Sequence, residues 1–404
     1  MSGLAAAVRL AHQGYKVTMH EASGHAGGRC RSFHDNTLDG MIDNVNHLLL
    51  SGNRSARAYL REIGAEDTFT GPPDAAFPFV DLKTDERWTV RLNAGRIPWW
   101  IFHPSCRPPG SRAVDFLSVL KLAWAGPDAT VGALFGGAGA IFTRFIEPLA
   151  VAALNTPMET AAAKPLWAVF RETFGLGAAA CRPLIAADGL SQSLVDPALD
   201  CLRKAGAEIH FNRRLRRLVS SGRSATQLEF GDGLVELAPD DKLVLALPPM
   251  GLNALLPEIA VPEGSHAIVN AHFKLSKPPS HPVLILGVIG GVAEWIFVRG
   301  SIVSVTVSAA DALADRPVPE IGAEIWRDVA QALHLDPALP PFRVVKERRA
   351  TFAQTPAAMR RRPGPKTTFE NVFLAGDWTG TGLPATIESA VRSGHNAAMA
   401  IAHS

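Results

Sequence analysis

Val17-Thr-Met-His-Glu21-Ala-Ser-Gly-His-Ala-Gly27-Gly28-Arg29-Cys-Arg31-Ser32 stands near one end of the chain. Asn371-Val-Phe-Leu-Ala-Gly376-Asp377-Trp378-Thr379-Gly-Thr-Gly382-Leu-Pro384-Ala-Thr386-Ile387-Glu388-Ser-Ala390 stands near the other. The first reads as a short strand ending in an acid, then a glycine-arginine turn. The second reads as a strand, a Gly-Asp step and a glycine-rich loop running into a helix. A strand-end carboxylate suits ribose hydroxyls, and paired glycines let backbone pass close to a phosphate or a ring edge. Together the two stretches read as two clamps on one flavin dinucleotide, with most of the chain lying between them.

Upstream of Glu21 the pattern is that of a βαβ dinucleotide fold entered partway through. Such a unit runs strand, G-x-G-x-x-G, helix, with an acid about 20 residues on. Gly3 is followed by an Ala- and Leu-rich run, Leu4 to Gln13, that Gly14 stops. Gly3 then takes the place of the third glycine, which permits close helix–sheet packing. The first strand and the two glycines nearest the pyrophosphate are expected ahead of Met1, roughly ten residues by strand and turn lengths. The plain alternative is that Met1-Ser2-Gly3 is an ordinary helix cap.

Composition sets the outer bounds. The 404 residues are 47% hydrophobic and 19% charged, which suits a globular protein of two or three domains. A net charge of +2 gives no electrostatic case for nucleic acid. The arginine groups Arg213-Arg214, Arg216-Arg217 and Arg360-Arg361-Arg362 are local and read as solvated faces. Cys30, Cys106, Cys181 and Cys201 show no metal spacing, so neither a disulfide nor a metal is expected. The cysteines suit a reducing compartment, and no basic-then-apolar signal pattern opens the chain. No uncharged apolar run reaches 18 residues; Val131 to Leu154 is interrupted by Arg144 and Glu147.

The chain divides by texture into two interleaved units, an α/β one and an α+β one. Residues 1–70, 185–260 and 350–404 read as a Rossmann-like nucleotide-binding domain. Its middle block holds a helix from Val195 to Ala205, a strand Glu208 to Phe211, a hairpin around Gly231-Asp-Gly233, and a buried strand Lys242 to Leu247. Residues 71–184 and 261–349 read as a substrate domain, an antiparallel sheet roofed by helices. Its expected strands are His266 to Leu275, Val283 to Ile289, Trp295 to Val298 and Ile302 to Ser308, followed by a helix through Ile321 to Leu333.

Residue types at these positions point to chemistry. Glu21 can accept from both ribose hydroxyls. Gly27 and Gly28 open the turn, and Arg29 offers a fork of donors for pyrophosphate. Asp377, after Gly376, can accept from a ribityl hydroxyl. Pro384, Thr386 and Ile387 begin a helix whose partly positive N-terminus suits the anionic edge of a reduced flavin. Leu215 can meet an adenine edge through its backbone, or be simple core. Asn44, Asn46 and His47 follow the glycine-arginine turn closely, which brings them beside the flavin ring. His47 reads equally as a proton donor and as a structural histidine.

The spacing of these motifs resembles the flavin-containing amine oxidase and phytoene desaturase superfamily. Within it the chain is similar to the hydroxysqualene dehydroxylases of bacterial hopanoid synthesis. The residues that carry this are Ala26-Gly-Gly-Arg-Cys-Arg-Ser-Phe33, Ile42-Asp-Asn44, Asn46-His-Leu-Leu-Leu-Ser-Gly-Asn53 and Phe77-Pro-Phe-Val-Asp-Leu82. Further on come Glu147-Pro-Leu-Ala-Val-Ala-Ala-Leu-Asn-Thr-Pro157, Ile268-Val-Asn-Ala-His-Phe273, Phe297-Val-Arg-Gly300, Val303-Ser-Val-Thr-Val-Ser-Ala-Ala-Asp311 and Lys346-Glu-Arg-Arg-Ala-Thr-Phe-Ala-Gln-Thr-Pro356. Gly376 to Glu388 completes the set.

That resemblance implies an FAD-dependent enzyme reducing hydroxysqualene to squalene with loss of water. It implies a long apolar isoprenoid held dry against the flavin, with His47 or Glu147 supplying a proton to the leaving oxygen. So insoluble a substrate must come from a bilayer or from other squalene-synthesis enzymes. The chain is therefore expected in the cytoplasm, peripheral to the inner membrane. Ile97-Pro-Trp99-Trp100-Ile-Phe102, flanked by Arg96, His103 and Arg107, fits an interfacial anchor, with core packing as the other reading. A carotenoid-type desaturase or amine oxidase is the rival on the same fold. A non-catalytic prenyl-binding protein is the rival of another class.

Overall fold

The computed structural model describes residues 1–136, 139–279 and 284–404. The expected start of one strand, at Val283, lies outside them.

The largest element is a seven-stranded sheet whose order follows from alternation. In the strand Ser265–Lys274, Ala267, Val269, Ala271 and Phe273 point to one face and Asn270 and His272 to the other. Ile302–Val307 repeats this, with Val303, Val305 and Val307 against Ser304 and Thr306. Ile296 and Val298 oppose Trp295 and Phe297 in Trp295–Arg299. Period-two alternation makes a sheet with two distinct faces. The aliphatic face packs on the helix Val318–Leu333, whose buried residues Ile321, Ile325, Trp326 and Val329 recur at helical spacing. Gly322 is needed at that contact, because a Cβ there would strike the Phe342 ring.

Three features differ from the sequence expectation. Ala76–Asp81 and Glu86–Arg91 extend this sheet, so block 71–184 contributes strands as well as helices. Ala76–Asp81 runs parallel to Ile285–Ile289, which makes the sheet mixed rather than purely antiparallel. The first strand comes from another part of the chain, so no hairpin dictates its direction. The other edge strand, Phe342–Phe352, crosses the boundary placed at residue 350.

The nucleotide-binding half is built from two short parallel pairs. Thr18–His20 pairs with Glu208–His210, and Leu243–Leu245 with Val372–Leu374. Parallel neighbours with helical crossovers are what the α/β reading requires. Among the described residues no strand hydrogen-bonds to both pairs. Helix Ser2–His12 lies against the second pair, with the Cβ position of Gly3 3.0 Å from Ala246. The same helix crosses Ile387–Ala402 at Gly394, where any Cβ would meet the Ser2 carbonyl. The hairpin expected at Gly231-Asp-Gly233 joins Ser224–Phe230 to Gly233–Glu236. All four cysteines are free thiols.

Candidate functional site

The first clamp begins where Thr18–His20 ends. The Glu21 backbone is held on both sides, its N–H by the His210 carbonyl and its C=O by the Arg213 N–H. One carboxylate oxygen accepts from Ser23 N and Oγ, at 2.8 and 3.1 Å. The turn that follows needs its glycines. Gly27 has φ +98°, and a Cβ there would meet the Cys30 carbonyl. Gly28 has φ +60° with open space where a side chain would project. An L side chain is strained in that region of backbone space.

The second clamp is the loop after Val372–Leu374. A Cβ on Gly376 would run into the Trp378 indole. Thr386 caps the long helix Ile387–Ala402 by accepting from Ser389 N at 3.2 Å. Pro384 and Ile387 are buried under that first turn. Gly382, at φ +79°, again has open space beside it.

The structure joins the two clamps directly. Arg29 Nη2 donates to Asp377 Oδ2 at 2.7 Å, and Nη1 donates to the Ala350 carbonyl. The neighbouring carboxylate raises the Arg29 pKa, so the guanidinium stays charged.

Arg362 is the residue that sequence reading missed. It was grouped with Arg360 and Arg361 as a solvated face. Its neighbours are as expected, Arg361 pairing with the exposed Glu263 at 2.8 Å and Arg360 with Asp128. Arg362 instead turns inward. It donates to the carbonyls of Leu383 at 2.6 Å, Asp377 at 3.0 Å and Trp378 at 3.3 Å, and to Thr381 Oγ1 at 3.1 Å. Burial pushes its pKa down to about 10, still charged at neutral pH. Nothing in the run Arg360-Arg361-Arg362 distinguishes the third arginine; the irregular loop it satisfies does. Fully buried Gln354 does a similar job, accepting from Ala385 N at 3.0 Å and donating to the Leu154 carbonyl at 2.6 Å. It ties the second clamp to the helix Glu147–Leu154.

His47 lies close enough to Arg29, Asp43 and Asp377 to feel their charges. Burial dominates and pushes it down to about 4, so at neutral pH the ring is uncharged. Its buried Nε2 has no partner among the described residues. An uncharged ring can orient a ligand but is a poor store of protons. Glu147 is not brought to this cluster. It lines a separate pocket with Thr130, Phe142, Met158 and Glu159, where burial and then Glu159 raise its pKa. Leu215 starts the antiparallel strand Leu215–Ser221, partly buried against the core cluster that contains Leu245 and Trp378.

Beside the clamps stands the second face of the large sheet, and it is graded. Toward Ser265–Lys274 and Ile302–Val307 it is polar, with Asn270, His272, Ser304 and Thr306 all buried. Toward the other edge it is aromatic, with Trp295, Phe297, Phe79, Phe77 and Trp88. Phe79 stacks on Trp88 and meets Trp295 edge-on, at centroid distances of 5.6 and 5.4 Å.

These residues fit a flavin. Two positive-φ glycines border open space, a charged fork joins the clamps, a buried ring nitrogen lacks a partner, and a capped helix N-terminus faces the loop. The flavin containing amine oxidoreductase family matches residues 1–402, and the chain belongs to it. Hydroxysqualene dehydroxylase of Sinorhizobium fredii is 47% identical over 98% of this chain and 95% of its own length. That of Zymomonas mobilis subsp. mobilis is 45% identical over all of this chain and 98% of its own. Within the family, then, the chain groups with the hydroxysqualene dehydroxylases. A triple mutant of putrescine oxidase superposes with a TM-score of 0.72, covering all of this chain and 97% of that one. At 16% identity it speaks for the fold alone.

Proposed function

We propose that this protein binds FAD and uses it to remove the hydroxyl of hydroxysqualene, giving squalene and water. One observation carries the reading. The match to hydroxysqualene dehydroxylases, at 45–47% identity, covers 98–100% of the chain and so spans the substrate half as well as the two clamps. Glu21 and Arg29 would hold the ribose and pyrophosphate, and Asp377 with the Thr386 helix end would take the isoalloxazine side. When bound and reduced, the flavin supplies the hydride that replaces the hydroxyl. The protein orients the alcohol, keeps water from the apolar chain, and keeps His47 uncharged beside the ring. The carbon–oxygen bond that breaks is allylic, so positive charge left on carbon is delocalised. With one proton added to the leaving oxygen, one hydride and one proton give hydrocarbon and water.

The test is anaerobic and stoichiometric. Dithionite-reduced enzyme in D2O should convert hydroxysqualene to squalene carrying one deuterium by mass spectrometry, because the flavin's N5 hydrogen exchanges with solvent. Untouched hydroxysqualene, with oxidised enzyme desaturating an isoprenoid or oxidising an amine, would place the chain with its rivals.

The substrate's insolubility gives the surface between residues 96 and 124 a role. No helix among the described residues is long and apolar enough to cross a membrane. Yet Ile97, Trp99, Phe102, Val114, Leu117, Leu120 and Trp124 are all exposed, Trp124 by 78% and Trp99 by 58%. Arg96, Arg107, Arg112 and Lys121 are interspersed among them. That combination suits the headgroup region of an anionic bilayer. Trp100 does not take part: it is buried against Phe116 and Phe145, so core packing describes Trp100 and exposure describes Trp99. The protein then works from the cytoplasm, peripheral to the inner membrane, where it can also receive substrate from other squalene-synthesis enzymes. Trp99→Ser with Trp124→Ser should weaken binding to anionic liposomes about 10- to 100-fold, measured by sedimentation. Parental partitioning in the double variant would refute the docking face.

A further inference from the structure

Asn46 belongs to a segment tied to the glycine-arginine turn, where Arg31 N donates to Asn44 Oδ1 at 3.2 Å, while its own side chain reaches across to the large sheet. Asn46 Nδ2 stands 3.1 Å from Thr306 Oγ1, and Thr306 Oγ1 stands 2.8 Å from Asn270 Oδ1. Asn270 Nδ2 stands 3.1 Å from the Asn44 carbonyl.

The directions of these bonds are fixed from the inside outward. The Asn44 carbonyl can only accept, so the Asn270 amide group faces it and Asn270 Oδ1 faces Thr306. That oxygen can only accept, so the single hydroxyl proton of Thr306 is spent on it. Thr306 Oγ1 must then accept from Asn46, which sets the Asn46 amide with Nδ2 inward and Oδ1 outward. Asn270 is fully buried and Thr306 nearly so, so the chain has no water to relax into. Among the described residues nothing donates to Asn46 Oδ1, and the atom is not sealed from solvent. The fold thus commits two buried side chains, Asn270 and Thr306, to presenting one carbonyl oxygen.

Resting on the reading above, we propose that Asn46 Oδ1 is the acceptor for the substrate's hydroxyl proton. The contact positions the alcohol where the polar part of the sheet face meets the cofactor. The aromatic end, Trp295 and Phe297, takes the hydrocarbon. An outward-facing acceptor suits an alcohol better than the product: it bonds to the hydroxyl before reaction and has no partner on the hydrocarbon afterwards. A bare carbonyl oxygen also repels the hydrocarbon, which favours release. Bonding through the hydroxyl hydrogen leaves the oxygen lone pairs free to take the proton that lets water depart. Asn46 and Thr306 are positioning residues here, and neither supplies that proton.

The experiment reads discrimination rather than turnover. Flavin-loaded, oxidised enzyme is titrated with hydroxysqualene and with squalene in matched detergent micelles, and the ratio of the two affinities is taken. The parent should favour the alcohol. Asn46→Leu should lower that ratio about 3- to 10-fold, the range for one neutral hydrogen bond, with flavin absorbance per protein unchanged. Thr306→Val, which leaves the Asn46 amide only its longer 3.4 Å bond to Asn270 Oδ1, should lower it partway, and Thr306→Ser should restore it. If Asn46→Leu fails to fold, the Thr306 pair decides alone. An unchanged ratio in a flavin-loaded Asn46→Leu or Thr306→Val variant overturns the proposal, as does a parent without preference. Because oxidised enzyme is used, the proposed reaction can fail its own test while this ratio still stands.

Discussion

Replacing Arg362 by Met is expected to cost about 3–5 kcal/mol of stability and to leave the purified protein without flavin. The side chain is the common partner of three backbone carbonyls in the loop that carries Asp377. Removing it strands buried acceptors, at about 1–3 kcal/mol each when no water replaces the donor. Partial relaxation of the loop brings the sum down to the range given for losing one partner of a buried charged network. The control is its neighbour. Arg361→Met breaks an exposed pair with Glu263 and should cost less than about 1 kcal/mol. Urea melts and flavin absorbance on the two variants give the comparison. Equal midpoints and equal flavin content would show that the loop does not lean on Arg362.

Acid is expected to loosen the fold through His272. This side chain is fully buried on the sheet, its Nδ1 2.8 Å from Ser304 Oγ and its Nε2 without a partner. Burial pushes its pKa down to about 4, against an opposing pull from Asp43 and a small push from Arg299. Unfolded, it titrates near 6.5. Between those values the unfolded chain binds a proton that the folded protein refuses, so stability is full above pH 6.5 and falls as the pH drops toward 4. The gap amounts to about 3 kcal/mol. Glu294 works in the opposite sense: burial raises it to about 7, so its contribution is lost as the pH rises from 4.5 to 7. Melts of the parent and His272→Gln at intervals from pH 4 to 7 separate the two. The variant should lose less stability than the parent on acidification; parallel curves would mean that His272 is protonated without penalty.

The parts of the molecule legible in the sequence are those where local chemistry and tertiary demand coincide. Gly27 and Gly28 declare themselves because the turn needs positive φ, and few other residues supply it. The strands 265–274 and 302–307 show in the alternation of Val and Ala with polar residues, since one face is aliphatic and the other is not. What stayed hidden is set by partners far along the chain. Arg361 and Arg362 are the same residue type side by side, and only the loop at 377–383 separates their roles. Trp99 and Trp100 are alike in sequence, yet one stands in solvent while the other packs on Phe116. The parallel union of Ala76–Asp81 with Ile285–Ile289 joins segments some two hundred residues apart, beyond the reach of any turn signal. His47 and Glu147 looked like equivalent proton donors; burial takes the charge from the first and a separate pocket takes the second away from it.

The crossing of Ser2–His12 with Ile387–Ala402 sets the timetable of synthesis. The first helix has a close neighbour at Gly394, nearly four hundred residues further along the chain. At about 5–20 residues per second, some 20–80 seconds pass between the emergence of one partner and that of the other. Leu4, Ala5 and Val8 share their core with Ala56, Leu60 and Leu199 as well as with Ile387 and Val391, so their cover is completed only when the last two arrive. Gly376 and Asp377 follow Gly27 and Gly28 by a similar interval, so the two clamps coexist only once the second has been made. A flavin held by both clamps is therefore taken up after that point in synthesis and not before it.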